Sequence, residues 1–287
     1  MKILIAGSSG IIGSYLIKQN KFTDSFALNS KIVNLLSKKE TYNFVDNNIK
    51  ADILVFLVGL AHSKGKNKDF EDCNNVNYLT LKNLLSAFEK FNKVPEKIIF
   101  SSTISVYGEK FNNTIYKESI EPSPFTPYAK TKLIAEKYLL ENYNQKLWIL
   151  RLAPVYYDNF MLNIDRRVKI LNKYFCVGTG KINLSLCNIN NIIKTIDAII
   201  CDKVPHGTYN ISDSKTYCYN DLLNLYKPKI ILKIPKFLIK IIFLFAKLIK
   251  NNFLKENSVK LCTNNIYPNN KINKFVKLSH SLNDIKT

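Results

Sequence analysis

The opening stretch MKILIAGSSGIIGSYLIKQ constrains the fold of this chain more than any other. An apolar run of strand length ends at Gly7, and helical spacing begins at Gly10. A strand that is apolar at every position has both faces buried, as in a parallel sheet covered by helices. The alternation continues along the chain. SFAL reads as a weak second strand, ADILVFLVGLA as a third apolar run, and NNVNYLTLKNLLSAFEKF as a helix. EKIIFSST is another strand, and a loop rich in Pro, Ser and Glu then runs to Pro127. A helix starts at Tyr128, and KLWILRLA is one more strand. Strands alternating with helices predict an α/β fold with a Rossmann-type doubly wound parallel sheet, in which ligands sit at the carboxyl ends of the strands. After Pro154 the pattern loosens and predicts a smaller C-terminal lobe.

Charge narrows the partners. The net charge is +20, yet arginine occurs only at Arg151, Arg166 and Arg167. Arginine is the preferred side chain for reading phosphates and bases, so a lysine-dominated chain is not expected to bind nucleic acid. Its diffuse positive field suits an anionic substrate. The six cysteines show no C-x-x-C pair and no histidine spacing suited to zinc, so no metal is expected. A strand pattern beginning at Lys2 leaves no room for a secretory signal within this sequence, and reduced thiols in a cytoplasmic protein are expected.

Three motifs carry chemistry. In GSSGIIG, Gly7, Gly10 and Gly13 stand between a strand and a helix, where glycine lets backbone N–H groups approach a pyrophosphate. The spacing is G-x-x-G-x-x-G rather than G-x-G-x-x-G, and a helix N-terminus that simply needs glycine is the plainer alternative. Tyr128 and Lys132 lie four apart on one helix face. An ammonium there would lower the phenol pKa and let it exchange a proton with an alcohol or carbonyl, although such pairs also arise by chance. FSSTISVYG ends a strand in hydroxyl residues, and Thr103 is placed to donate to a substrate oxygen or merely to cap the loop.

Taken together, these motifs resemble the extended branch of the short-chain dehydrogenase/reductase superfamily. Within it they are similar to the NAD-dependent epimerase/dehydratase family that works on nucleotide sugars. SSTISVYG and ESIEPSPFTPYAKTK carry the resemblance with GSSGIIG, over roughly residues 1–215. It implies a NAD(P)-binding domain over 1–153 plus about 186–204, and a substrate-binding lobe over about 154–185 and 205–287. It implies Tyr128 as acid/base, Lys132 as the cation that tunes it and binds the nicotinamide ribose, and Thr103 as ligand of the reacting oxygen. Cofactor contacts are implied for Gly7, Gly10, Ile11, Ile12, Gly13, Asn29, the LVGLA run with Leu57, Val58 and Gly59, Asn74, Ser101 and Ala153. NAD is the expected cofactor.

The departures shape the expected reaction. Asn29 stands where the family ends its second strand in an Asp, so Ser30 or Lys31 could meet a ribose 2′-phosphate and NADP stays open. Ile104 and Ser105 replace the Asp-Glu pair that the family's dehydratases need, and dehydration is not expected. Pro154 stands where some family epimerases carry a substrate-binding Asn. The favoured reading is a nucleoside-diphosphate-sugar 4-epimerase serving surface polysaccharide or glycan synthesis. The rivals are a NAD(P)H-dependent keto-sugar reductase and a non-catalytic dinucleotide-binding protein. A homodimer is expected by family analogy.

IPKFLIKIIFLFAKLIK, residues 234–250, is the other conspicuous segment. At about 100° per residue, Lys236, Lys240, Lys247 and Lys250 fall within roughly 80° of one another. The favoured expectation is a helix buried in the small lobe or at a subunit contact, lysines outward. The alternative is peripheral contact with an anionic membrane.

Overall fold

The computed structural model describes residues 1–19, 24–48, 50–60, 69–108 and 110–285 of the 287-residue chain. Its elements are β1 (Ile3–Ala6), α1 (Ile11–Lys18), β2 (Ser25–Leu28), α2 (Lys38–Asn48), β3 (Ile53–Phe56), α3 (Phe70–Asn74), α4 (Thr80–Lys90) and β4 (Lys97–Thr103). There follow α5 (Pro127–Tyr143), β5 (Leu147–Leu152), β6 (Val155–Tyr156), α6 (Leu162–Val168), β7 (Lys169–Ile170), β8 (Lys173–Val177), β9 (Asn183–Leu184) and β10 (Cys187–Asn188). The chain ends with α7 (Ile189–Ile200), β11 (Gly207–Ile211), β12 (Tyr217–Cys218), α8 (Tyr219–Tyr226), β13 (Ile231–Ile234), α9 (Lys236–Leu248), α10 (Asn252–Cys262) and α11 (Asn270–Asn273).

Two compact units divide these elements. One comprises Met1–Val106, Pro127–Arg151 and Ile196–Tyr209; the other comprises Tyr107–Thr126, Leu152–Thr195 and Asn210–Thr287. Residues 107–126 and 186–195, expected in the dinucleotide domain, group with the second unit.

The six-stranded sheet has the order β2-β1-β3-β4-β5-β11. β1 pairs in parallel with β2 and with β3, and β3 with β4. The chain therefore leaves β1 toward one side for β2 and lands on its other side for β3. That reversal is the switch point above which ligands bind in doubly wound sheets. Every residue of β1 and β3 is buried, as their unbroken apolar runs require. β2 is half exposed because it is the sheet's edge. Residues 38–48 form α2 and supply no further strand beyond it. Leu81, Leu84, Leu85 and Phe88 of α4 pack under the sheet, where Phe56 and Phe100 stack with centroids 6.2 Å apart. Each such side chain stabilises the fold by roughly 1.5–3 kcal/mol through burial alone.

The second unit has smaller pieces: β6 parallel to β10, β9 antiparallel to β12, and a sheet ordered β13-β8-β7. Its core gathers Tyr156, Phe175, Tyr217, Leu222 and Ile239. Asp213 holds this unit from inside. Its buried carboxylate accepts from Tyr156 Oη at 2.6 Å, Tyr217 Oη at 2.9 Å, Asn188 N at 2.7 Å and Asn191 Nδ2 at 2.8 Å. Burial pushes its pKa up, and the four donors oppose that.

Of the two placements expected for the segment 234–250, the chain does not show the first, burial within the small lobe. α9 forms, but only Ile239 and Ala246 of its residues are buried.

Candidate active site

The glycine turn is built by close backbone approach. Gly7 has φ +89°, and both Gly7 N and Ser8 N donate to Leu28 O at the end of β2, at 2.9 and 3.0 Å. A Cβ on Gly7 would lie 2.8 Å from Leu57 C and Val58 N. One on Gly13 would lie 2.3 Å from Gly7 O, so neither position admits a side chain without moving the backbone. Gly10 is the N-cap of α1 and offers no side-chain acceptor, which leaves the first-turn amides from Ile11 to Gly13 directed at the mouth of the turn. Asn29 bridges to the same loop: its Nδ2 donates to Ser8 Oγ at 3.3 Å, and its Oδ1 accepts from Lys31 N at 2.9 Å. Leu57, Val58 and Gly59 follow β3 directly, while Ala61 lies outside the described residues.

Lys132 reaches this crevice from α5. Its Nζ is buried and donates to Val58 O at 3.1 Å and to Ser101 O at 2.9 Å, with the Phe100 ring centroid 4.7 Å away. Val58 is the residue whose backbone touches Gly7, so the amine sits one contact from the glycine turn. Burial lowers its pKa to about 7, and Glu136, one helical turn further on, pulls the other way. Tyr128 precedes Lys132 by one turn on α5 and is half-buried, so the two lie on one helix face. Pro127 opens the helix at the position where a missing N–H costs nothing.

Thr103 closes β4 and is buried, with its Oγ1 accepting from Ser105 N at 3.2 Å. Ser101, an expected cofactor contact, lies on β4 two residues before Thr103. Its hydroxyl donates to Phe56 O at 3.2 Å within the sheet, and its carbonyl holds Lys132. Ala153 belongs to the second unit, and its N–H is used by Ile211 O at 2.9 Å. Asn74 ends α3 half-buried.

Two features escaped the sequence reading. Asn77, in a π-helical turn over Asn75–Leu79, is fully buried; its Oδ1 accepts from Leu60 N at 2.7 Å and its Nδ2 donates to Thr131 Oγ1 at 2.9 Å. It thereby ties the loop after β3 to the helix turn that carries Tyr128 and Lys132. The second is a buried ion pair beneath Lys132. Arg151 donates to Glu136 through Nη2 at 2.7 Å and through Nε at 3.2 Å, and Ser102 Oγ donates to the same carboxylate. The available signal was the repeat Tyr128, Lys132, Glu136 at intervals of four, which continues the helix face by one turn.

Residues 3–211 match the model of the NAD dependent epimerase/dehydratase family. The chain belongs to that family. Among its relatives is the N-acetyl-alpha-D-glucosaminyl-diphospho-ditrans,octacis-undecaprenol 4-epimerase of Escherichia coli O157:H7, 30% identical over 169 residues, 56% of this chain and 50% of the relative. An uncharacterised UDP-glucose epimerase of Bacillus subtilis (strain 168) is 32% identical over 185 residues, 54% of this chain and 57% of the relative. The chain thus spans about half the length of these curated relatives. Among solved structures, the UDP-glucose 4-epimerase of Thermotoga maritima with UDP-glucose matches with TM-score 0.66 and 20% identity, over 82% of this chain and 86% of that one. This last likeness bears on the fold, the Rossmann-type sheet.

The residues of the first unit fit the family's dinucleotide. The Gly7 and Gly13 positions form a cradle that a Cβ would fill, and the amides of α1 face it. At the edge of the cradle Asn29 offers an amide, and no carboxylate occurs from residue 28 to 31.

Proposed function

We propose that this chain is a nicotinamide-dependent 4-epimerase acting on a diphosphate-linked sugar, a nucleoside-diphosphate sugar in the first instance. The observation that carries this reading is Lys132. Its amine is held by Val58 O and Ser101 O beside the glycine turn, on the face of α5 that also bears Tyr128. A nicotinamide cofactor held by the Gly7–Gly13 turn and by Lys132 would supply reversible hydride exchange at the sugar C4, through which its configuration could be inverted. Tyr128 takes the C4 hydroxyl proton and later gives it back. Lys132, while charged, favours the phenolate that performs the first of these transfers. Thr103 holds the reacting oxygen at the carboxyl end of β4. Ile104 and Ser105 provide no acid and base for water elimination, which supports epimerisation over dehydration.

A second reading, reduction of a keto sugar, uses the same residues and is favoured by Asn29. Without a carboxylate at the end of β2, a 2′-phosphate meets no like charge and Lys31 stands nearby. Mass spectrometry of the nucleotide that copurifies with the protein separates the two. NAD retained through gel filtration, with interconversion of C4 epimers and no net cofactor turnover, supports the epimerase. Steady consumption of free NADPH by a keto sugar would overturn it.

A further inference from the structure

α9 presents its apolar pole to solvent. Taking 100° per residue, its two buried residues, Ile239 and Ala246, mark one side of the helix. Roughly opposite them lie Phe237, Ile241, Leu244, Phe245 and Leu248. Phe237 is 60% exposed, Leu244 63% and Leu248 79%. Lys236, Lys240 and Lys247 form a stripe roughly a quarter-turn from that pole, between it and the packed side. A helix resting on a globular core shows the reverse order, with its polar residues farthest from the core. The exposed strand before it extends the same character, since Ile231 and Leu232 of the edge strand β13 also face solvent. Exposed apolar surface of this extent marks an interaction site.

Charge selects the occupant. Between Asp221 and Glu256 the chain has no acidic residue, and Lys227, Lys229, Lys233, Lys236, Lys240, Lys247 and Lys250 are all exposed. A second copy meeting this face with its own would set these lysines against each other. A nucleic acid would match the charge and leave the apolar pole in water. An anionic bilayer surface satisfies both, taking apolar side chains at the acyl boundary and lysine amines at the headgroups. With 13 residues α9 is about 20 Å long, short of the roughly 30 Å hydrocarbon layer. Among the described residues no helix is long and apolar enough to cross a membrane. We infer that α9, with β13 beside it, lies in the interface of an anionic membrane, Phe237, Ile241, Leu244 and Leu248 inserted and its lysine stripe on the lipid phosphates. The inference is independent of the reaction catalysed, because it uses no residue of the glycine turn or of α5.

The test is flotation of the full chain with vesicles of phosphatidylcholine, with and without phosphatidylglycerol, at low and physiological ionic strength. The protein is expected to float with the anionic vesicles, less at the higher ionic strength, and to remain behind with the neutral ones. Leu244→Glu together with Phe245→Glu should weaken anionic-vesicle binding at least about tenfold. Lys236→Gln, Lys240→Gln and Lys247→Gln combined should remove the preference for phosphatidylglycerol. Both sets of side chains are exposed, so the fold, followed by circular dichroism, should persist; if the glutamate variant does not fold, the glutamine variant decides. Failure of the wild type to float with anionic vesicles at low ionic strength overturns the inference, as does equal flotation of the variants. A dimer in light scattering that the glutamate variant dissociates, with no vesicle binding, would assign the face to a second copy instead.

Discussion

Asn77 and Thr131, 54 positions apart in sequence, share a buried hydrogen bond of 2.9 Å that clamps the π-helical turn to α5. The other end of the Asn77 side chain accepts from Leu60 N at 2.7 Å. One side chain therefore sets the spacing between the loop after β3 and the helix that carries Lys132. Asn77→Ala should cost about 2–3 kcal/mol, from one buried and one part-buried bond lost and the Leu60 N–H left unsatisfied, measured by urea denaturation. It should also weaken NAD binding, read by fluorescence titration. Unchanged stability would show that the clamp is not what orders this loop.

Tyr128→Phe removes the phenol and leaves the ring. Epimerisation should fall by about 10²–10⁴-fold while NAD affinity stays within twofold or so. Retained turnover would remove Tyr128 from the proposed mechanism.

Lys132 gives a pH signature. Its ordinary value is 10.5 and burial lowers it to about 7 in the folded chain. Between those values the unfolded chain binds more protons, so stability rises with pH across that window by up to about 1.4 kcal/mol per unit. Below pH 7 both states are protonated and the slope vanishes. In Lys132→Met this rise should be absent, and the two proteins' denaturation midpoints, compared from pH 6 to 10, check it. Parallel profiles would refute the lowered value.

Glu136 and Arg151 are both buried and paired. Glu136→Gln strands the guanidinium and should destabilise by about 3–5 kcal/mol. The double variant Glu136→Met with Arg151→Met should recover part of that loss, since no buried charge is left alone. A double-mutant cycle in guanidinium chloride measures the coupling; additive losses would show the pair to be independent.

Gly13→Ala would bring a methyl group to 2.3 Å from Gly7 O. Because the obstacle is backbone, the turn must open, and NAD affinity should drop at least about tenfold on isothermal titration. Ser14→Ala, one residue on and exposing no such clash, is the control.

Much of the first unit was legible in sequence because its signals are local. Unbroken apolar runs at Ile3–Ala6 and Ile53–Phe56 specify strands buried on both faces, and Gly7 and Gly13 specify a turn that no side chain fits. The i, i+4 spacing of Tyr128 and Lys132 by itself sets them on one helix face. Asn77 was not legible, since a buried asparagine is justified only by partners at Leu60 and Thr131 that periodicity does not bring near. Asp213 was equally hidden, because its four donors come from three separate stretches of chain.

The segment 234–250 draws the line between the two levels. Its sequence determined an amphipathic helix with lysines on one stripe, a matter of spacing along a single element. Which side of that helix would meet the core was decided only by the packing of α9, where Ile239 and Ala246 point inward and the longer apolar side chains are left outside. A helix specifies its own faces through its period. What those faces touch depends on the surfaces that distant segments bring against them, and that information exists only once the chain has folded.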